Sequence, residues 1–161
     1  MKPPSSQAAA AQVIALYVAW NARALLAAWI HAPYDRCGSP AFLLWAAMPF
    51  FVRLSYSLDA RDSAQPPVSA VLPAAALALT FAGIITDLSV LKDIALAVAI
   101  GAFLPLRPAT FLWLALSVAW MPAAGWVFKS AGVVGVNIFR LVLGAAAIPL
   151  TPLYLRREPI G

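Results

Sequence analysis

Apolar runs alternate with short polar segments along most of this chain. The apolar runs are Ala8–Ile30, Pro40–Tyr56, Val68–Leu106, Ala109–Phe128 and Val133–Leu155. The first run would form a helix of about 34 Å, which exceeds the roughly 30 Å hydrocarbon layer of a bilayer. The apolar part of a cleaved signal peptide is shorter, about 7–15 residues. We therefore expect the first run to be a retained transmembrane helix.

The third apolar run is too long for a single membrane crossing. One helix from Val68 to Leu106 would extend about 58 Å, almost twice the hydrocarbon thickness. The segment Thr86–Ser89 is the expected break, because its Asp and Ser side chains can accept hydrogen bonds from the free N–H groups of a new helix. The segment after the break is short, so a re-entrant or tilted helix is the alternative to a full span.

Together the runs and their breaks predict the fold class. We expect an all-α, polytopic integral membrane helical bundle, in which residues 1–161 form a single transmembrane domain. The six predicted spans cover residues 8–30, 40–56, 68–86, 90–106, 109–128 and 133–155.

The composition agrees with a membrane protein. Hydrophobic residues make up 63% of the chain and charged residues 11%, against about 45–50% and 25% in soluble domains. The net charge of +5 comes from scattered Lys and Arg residues that form no basic stripe, so we expect no nucleic-acid partner. The expected partners are membrane lipids and either another membrane protein or further copies of the chain. The Ala-rich composition suggests the bacterial cytoplasmic (inner) membrane.

The basic residues predict how the chain is oriented. With six spans, both termini lie on one side of the membrane. That side carries Lys2, Arg53, Arg61, Arg107, Arg156 and Arg157, and the opposite side carries Arg36, Lys92 and Lys129. Cytoplasmic segments are the ones enriched in Lys and Arg. The six-to-three distribution therefore predicts cytoplasmic termini.

Two arginines lie inside apolar runs, Arg23 and Arg140. An Arg at the centre of a span costs about 2.5–3.5 kcal/mol on insertion scales and usually faces a partner or a wet cavity. Asn137 precedes Arg140 by three positions, so both project from one helix face. One hypothesis is an outward-opening pocket of Arg23, Asn137 and Arg140 that binds a lipid phosphate or a carboxylate. The alternative is structural: the guanidinium groups extend to the interface or pair with Asp87 and Asp93.

The only cysteine, Cys37, and the only histidine, His31, lie in one predicted outer loop that also contains Asp35. A thiolate nucleophile needs a neighbouring base or cation, which gives a candidate catalytic set of Cys37, His31 and Arg140. The alternative is that both residues are incidental, because the loop has no orienting motif. A single cysteine excludes an intrachain disulfide, and the lack of a Cys/His cluster predicts no metal and no cofactor.

A short segment of the last run resembles a known family. Residues Gly135–Val142 read Gly-Val-Asn-Ile-Phe-Arg-Leu-Val and resemble the exosortase/archaeosortase family of membrane transpeptidase-like proteins. That family carries an Asn-x-x-Arg element at the outer end of a helix, which Asn137 and Arg140 match. The chain departs from the family because Cys37 lies in a predicted loop and no His follows Arg140. The resemblance implies an inactive or truncated relative rather than a working enzyme.

The expected function is that of a small non-catalytic multi-pass membrane subunit or accessory protein. It would bind a membrane partner or lipid through its helix faces and the outer Arg/Asn pocket. The absence of a catalytic motif and the small extramembrane mass favour this class. One alternative is an exosortase-like transpeptidase or protease that acts at the outer face. Another is a component of a small transporter, although the sequence shows no internal symmetry.

Overall fold

A computed structural model of the chain describes residues 6–58 and 70–152, with side chains for residues 6–52 and 70–152. Its helices are α1 (Ser6–Asn21), α2 (Ala24–His31), α3 (Gly38–Leu58), α4 (Val71–Ile85), α5 (Ser89–Gly101), α6 (Pro108–Ala115), α7 (Pro122–Val127) and α8 (Gly132–Ala145). Short 3₁₀ turns occur at Pro33–Asp35, Leu116–Ala119, Lys129–Ala131 and Ile148–Leu150. Every regular element of the described residues is helical, which confirms the all-α prediction. The side chain of Arg53 and all of Lys2, Arg61, Arg156 and Arg157 lie outside what the structure describes.

The first predicted span is a pair of helices rather than one straight helix. The axes of α1 and α2 are inclined by 46°, and Ala22 and Arg23 form the turn between them. The side-chain amide of Asn21 donates a 2.9 Å hydrogen bond to the carbonyl oxygen of Tyr17. Local bonds of this kind compete with the regular backbone pattern of a helix. The polar residue inside the apolar run therefore marks the position of the bend.

The break predicted between the third and fourth spans is confirmed, but its mechanism differs from the expected one. Helix α4 ends at Ile85 and α5 begins at Ser89, and the two helices fold back on each other. No side chain caps the start of α5. Instead, Asp87 adopts a left-handed conformation with φ 55°, which Asp tolerates better than most residues. A reversal of the backbone, and not a capping side chain, ends the helix.

The predicted fifth span is wrong as a single helix. It consists of α6, the 3₁₀ turn Leu116–Ala119 and α7, which begins at Pro122. Proline has no N–H group and clashes with the preceding turn of a helix, but it is well suited to the first position of a new one. Pro122 therefore starts α7, and the helical segment before it ends at Ala119.

Among the described residues, few helices meet the length and apolarity that a membrane crossing requires. The helical segment Lys129–Leu150, which contains α8, meets both, and the bent pair α1–α2 meets them if it is counted as one span. The segments Val71–Ile85 and Pro108–Ala119 are apolar but shorter. Six crossings therefore stay a prediction.

Helices α3 and α8 cross at close range in the centre of the fold. A Cβ built on Gly144 would lie 2.8 Å from the carbonyl oxygen of Ala41, so a glycine is needed for this approach. Nearby, the rings of Trp45 and Trp113 stack with centroids 3.9 Å apart. Each indole N–H donates to the backbone carbonyl of the other residue, at 2.8 and 3.0 Å. The approach at Gly144 fixes α8 against the start of α3, where the candidate site lies, and the tryptophan pair fixes α6 against α3.

Candidate functional site

A buried ion pair joins α8 to the turn between α2 and α3. The Nη2 group of Arg140 donates to Oδ1 of Asp35, and its Nη1 group donates to the carbonyl oxygen of Ala119 at 3.1 Å. The Arg140 side chain is fully buried, and that of Asp35 is 10% exposed. The Nε atom of Arg140 has no hydrogen-bond partner within the described part of the chain. All described bonds of Arg140 are thus internal, which favours the structural interpretation of this residue.

Asn137 lies three positions before Arg140 on α8. It forms hydrogen bonds to the backbone on both sides of Asp35. Its Oδ1 atom accepts a 3.1 Å hydrogen bond from the backbone N–H of Cys37. Its Nδ2 group donates to the carbonyl oxygens of Pro33 at 3.2 Å and Val133 at 2.9 Å. The prediction that Asn137 and Arg140 share a helix face is confirmed. The Asn-x-x-Arg element clamps the turn Pro33–Asp35 onto α8.

The electrostatics of the turn are dominated by burial. Burial raises the pKa of the Asp35 carboxyl above its ordinary value, while the charge of Arg140 and its hydrogen bond act in the opposite direction. The attraction within a buried pair often fails to repay the removal of both charges from water. Loss of either partner would leave the other charge buried and unpaired.

The predicted pairing of Arg140 with Asp87 or Asp93 is wrong. Asp87 is exposed and lies 4.0 Å from Lys92 at the protein surface. Asp93 is buried in α5, at 3% exposure, and near enough to Asp35 for the two carboxylates to repel each other. Within the described residues, Asp93 makes no hydrogen bond or ion pair. Asp35 is the partner because the clamped turn brings its carboxylate directly onto α8.

A cavity of ≈ 450 Å³ opens beside the ion pair. It lies between the turn Pro33–Asp35, the start of α5 and helix α7. Its lining is largely apolar and includes Tyr34, Asp35, Val90, Ala123, Trp126 and Lys129. Gly125 also lines the cavity and packs against the ion pair, since a Cβ there would lie 2.6 Å from Oδ1 of Asp35 and 3.0 Å from Nη2 of Arg140.

The other residues singled out from the sequence lie apart from this cluster or only border it. Arg23 is exposed at the turn between α1 and α2, with its guanidinium 4.8 Å from the ring centroid of Trp20. No described hydrogen bond or ion pair connects Arg23 to Asn137 or Arg140, so the structure does not assemble the three-residue pocket. His31 is exposed at the end of α2 and has no described bond to Cys37.

Cys37 does approach Arg140. The residue is partly buried, and its backbone N–H is bound by Asn137, which lies three positions before Arg140 on α8. The structure therefore brings together two members of the predicted catalytic set, Cys37 and Arg140, and leaves out the third, His31. Groups of three or more His, Cys, Asp or Glu that could hold a metal ion are absent from the described residues.

Sequence reasoning missed Asp35 and Gly125 as members of the site. Asp35 was one of several acids on the predicted outer side, and the sequence gives no reason to prefer it over Asp87 or Asp93. Gly125 has no motif around it that predicts a contact with a distant ion pair. The useful signal was the position of Asp35 two residues after Pro33, where a short turn can hold a side chain in place.

No protein-family model, curated protein or solved structure matches the chain, so the resemblance of Gly135–Val142 to the exosortase/archaeosortase family stays a prediction from the sequence.

Proposed function

We propose that this chain is a non-catalytic, multi-pass subunit of the bacterial cytoplasmic membrane that binds a second membrane protein along the surface of α1 and α2. The membrane location is supported above all by the inverted distribution of polarity. The partner is supported by one exposed charge in that otherwise apolar surface.

The inversion is clearest on α8. Its outward row is Val134, Ile138 and Val142, with Val134 72% exposed, whereas its inward row is Val136, Arg140 and Gly144. The same contrast holds elsewhere in the described residues: Asp35, Asp93, Thr80, Thr110 and Ser117 are buried, while large apolar side chains are exposed on α1 to α4. Soluble monomers seldom expose apolar surface so extensively. Charged residues of membrane helices, in contrast, face the interior of the bundle.

Arg23 supports a protein partner. It precedes the end of α2 by eight residues, about 12 Å along the helix axis, so a crossing α1–α2 pair would hold it within the apolar layer. It is exposed and, among the described residues, has no carboxylate partner. Unpaired charge at that depth is unfavourable in lipid. A neighbouring helix that offers an acidic side chain would remove this cost.

The described residues of a second copy of the chain offer no suitable acid. Among the described acidic residues, Asp35 and Asp93 are buried and Asp87 lies in the break between α4 and α5. None of them is exposed within a helix. We therefore assign the α1–α2 surface to a different membrane protein that carries an Asp or Glu in an apolar segment.

The test uses the full chain in its native membranes. A photo-crosslinking amino acid replaces Trp20, next to Arg23, or Val134 as the control on α8. We expect an adduct from position 20 that is lost with Arg23→Leu and kept with Arg23→Lys. Mass spectrometry should place the adduct on an apolar peptide with an acidic residue. If position 20 crosslinks only to lipid, or if Arg23→Leu has no effect, the partner proposal is wrong; release of the protein by alkaline carbonate would refute the membrane location itself.

The exosortase-like alternative rests on one observation, the approach of Cys37 to Arg140. The test is Cys37→Ala in cells that depend on the chain: an enzyme loses its function, whereas a subunit keeps both its function and its crosslink from position 20.

A further inference from the structure

We propose that the cavity beside α7 is a binding site for one anionic phospholipid, with an acyl chain in the cavity and the phosphate on Lys129. This proposal rests on the membrane location proposed above. It concerns a different surface from the α1–α2 partner site.

The size and lining of the cavity fit an acyl chain better than a soluble ion. Its volume of ≈ 450 Å³ falls within the roughly 300–1,000 Å³ of typical ligand sites. Val90, Ala123 and Trp126 contribute apolar surface to it. The guanidinium of Arg140 lies behind Asp35 and Gly125 and is fully buried, so it is not available to a free anion. An apolar chain is the ligand whose burial this lining favours.

Lys129 supplies the charge that the phosphate of a lipid requires. It lines the cavity and is exposed in the turn between α7 and α8. Among the described residues, its ammonium group makes no hydrogen bond or ion pair. A lysine near a membrane surface attracts anionic lipids. The apolar lining and the ammonium group thus match the two ends of a phospholipid.

The neighbouring surface gives a lipid access from the side. Trp126 lines the cavity and is nevertheless 82% exposed, and Val127 beside it is also exposed. The apolar lining is therefore continuous with the apolar exterior of α7. Trp is enriched at the membrane interface, where its ring meets both chains and headgroups. A lipid could enter without crossing a polar barrier.

The test measures labelling of the purified full chain in phosphatidylcholine vesicles that contain phosphatidylglycerol with a photoactivatable acyl chain. We expect the label on α7. Ala123→Phe, which fills the cavity, should remove this label, and Lys129→Gln should reduce it about fivefold. The matched controls are Ala78→Phe on the exposed face of α4 and Lys92→Gln on α5, whose side chain does not line the cavity, and both should label as the unmodified chain does.

Competition and extraction separate the ways in which the proposal could fail. Millimolar inorganic phosphate should not reduce labelling, since the acyl chain provides most of the contact. Strong competition would mean an anion site and overturn the lipid assignment.

Lys129→Gln changes an exposed side chain, so it remains informative if Ala123→Phe fails to fold. Equal labelling of unmodified and variant chains would overturn the lipid site alone. Loss of the protein from the membrane at alkaline pH would overturn the membrane location as well.

Discussion

At the scale of single residues, the charges of Arg140 and Asp35 are buried, where they hold distant segments of the chain together. Arg140 reaches from α8 to Asp35 and to the carbonyl oxygen of Ala119, and Asn137 holds the backbone on both sides of Asp35. Three segments that are distant in sequence therefore meet at one helix face. A buried charge of this kind depends on its partner, because the alternative is an isolated charge in an apolar interior.

The ion pair makes a prediction about single and double replacements. Arg140→Met or Asp35→Leu alone should destabilise the fold by about 3–5 kcal/mol, because each leaves one buried charge unpaired. The double variant should recover most of this loss, since both charges are then gone. Thermal unfolding of the purified proteins in one detergent gives the comparison. Additive losses in the double variant would show that the two side chains do not act as a pair.

Asp93 allows a second prediction at this scale. Its carboxylate is buried near that of Asp35 and has no hydrogen-bond or ion-pair partner in the described structure. Asp93→Asn keeps the shape and removes a charge that burial disfavours, so we expect a higher unfolding temperature. Asp87→Asn is the exposed control and should change little. A large loss of stability in Asp93→Asn would mean that the carboxylate has a stabilising partner after all.

At the scale of elements, the conformation of the backbone, as well as the apolar pattern, determines where the helices end. Pro122 starts α7 and divides an apolar run that otherwise reads as one span. Asp87 turns the chain between α4 and α5 with a positive φ. Both interruptions shorten helices and create ends around the cavity. The helix ends at these breaks, Ser89 and Pro122, therefore form part of the cavity wall.

The crossing of α3 and α8 predicts an asymmetry between two glycines of α8. Gly144→Ala brings a Cβ to 2.8 Å from the carbonyl oxygen of Ala41, so the helices must separate and stability should fall by about 1–3 kcal/mol, as for other overpacked contacts. Gly135→Ala meets only the Cβ of Ala131, at 3.1 Å, and gains helix propensity. Unfolding in detergent should rank Gly135→Ala above Gly144→Ala; the reverse order would contradict the close crossing.

At the scale of the whole molecule, the distribution of polarity is inverted relative to that of a soluble protein. The described exterior is rich in large apolar side chains, whereas Asp35, Asp93 and Arg140 are buried. A lipid environment stabilises such an arrangement, because it leaves the apolar exterior away from water. Arg23 is charged and exposed among apolar side chains. Its position is therefore best explained by a partner protein.

The topology can be tested with single cysteines in a Cys37→Ala background. Ser130 is exposed in the turn beside Lys129, on the side that the sequence predicts to be outside. Ser130→Cys should react with a membrane-impermeant maleimide in intact cells. Ser63→Cys, in the predicted inner loop, should react only after the cells are opened. Labelling of both positions in intact cells would refute the predicted six-span orientation.

The sequence by itself determined the helical fold, the break at Thr86–Ser89 and the common face of Asn137 and Arg140, because apolar periodicity and helix spacing are local properties. It did not determine the division of the fifth run at Pro122, since its apolar pattern continues past the proline. Only the tertiary structure decided that Arg140 pairs with Asp35, which lies 105 positions away, and that α7 encloses a cavity beside them. Several acids were chemically equivalent partners, and the packing of the turn Pro33–Asp35 onto α8 selected one of them.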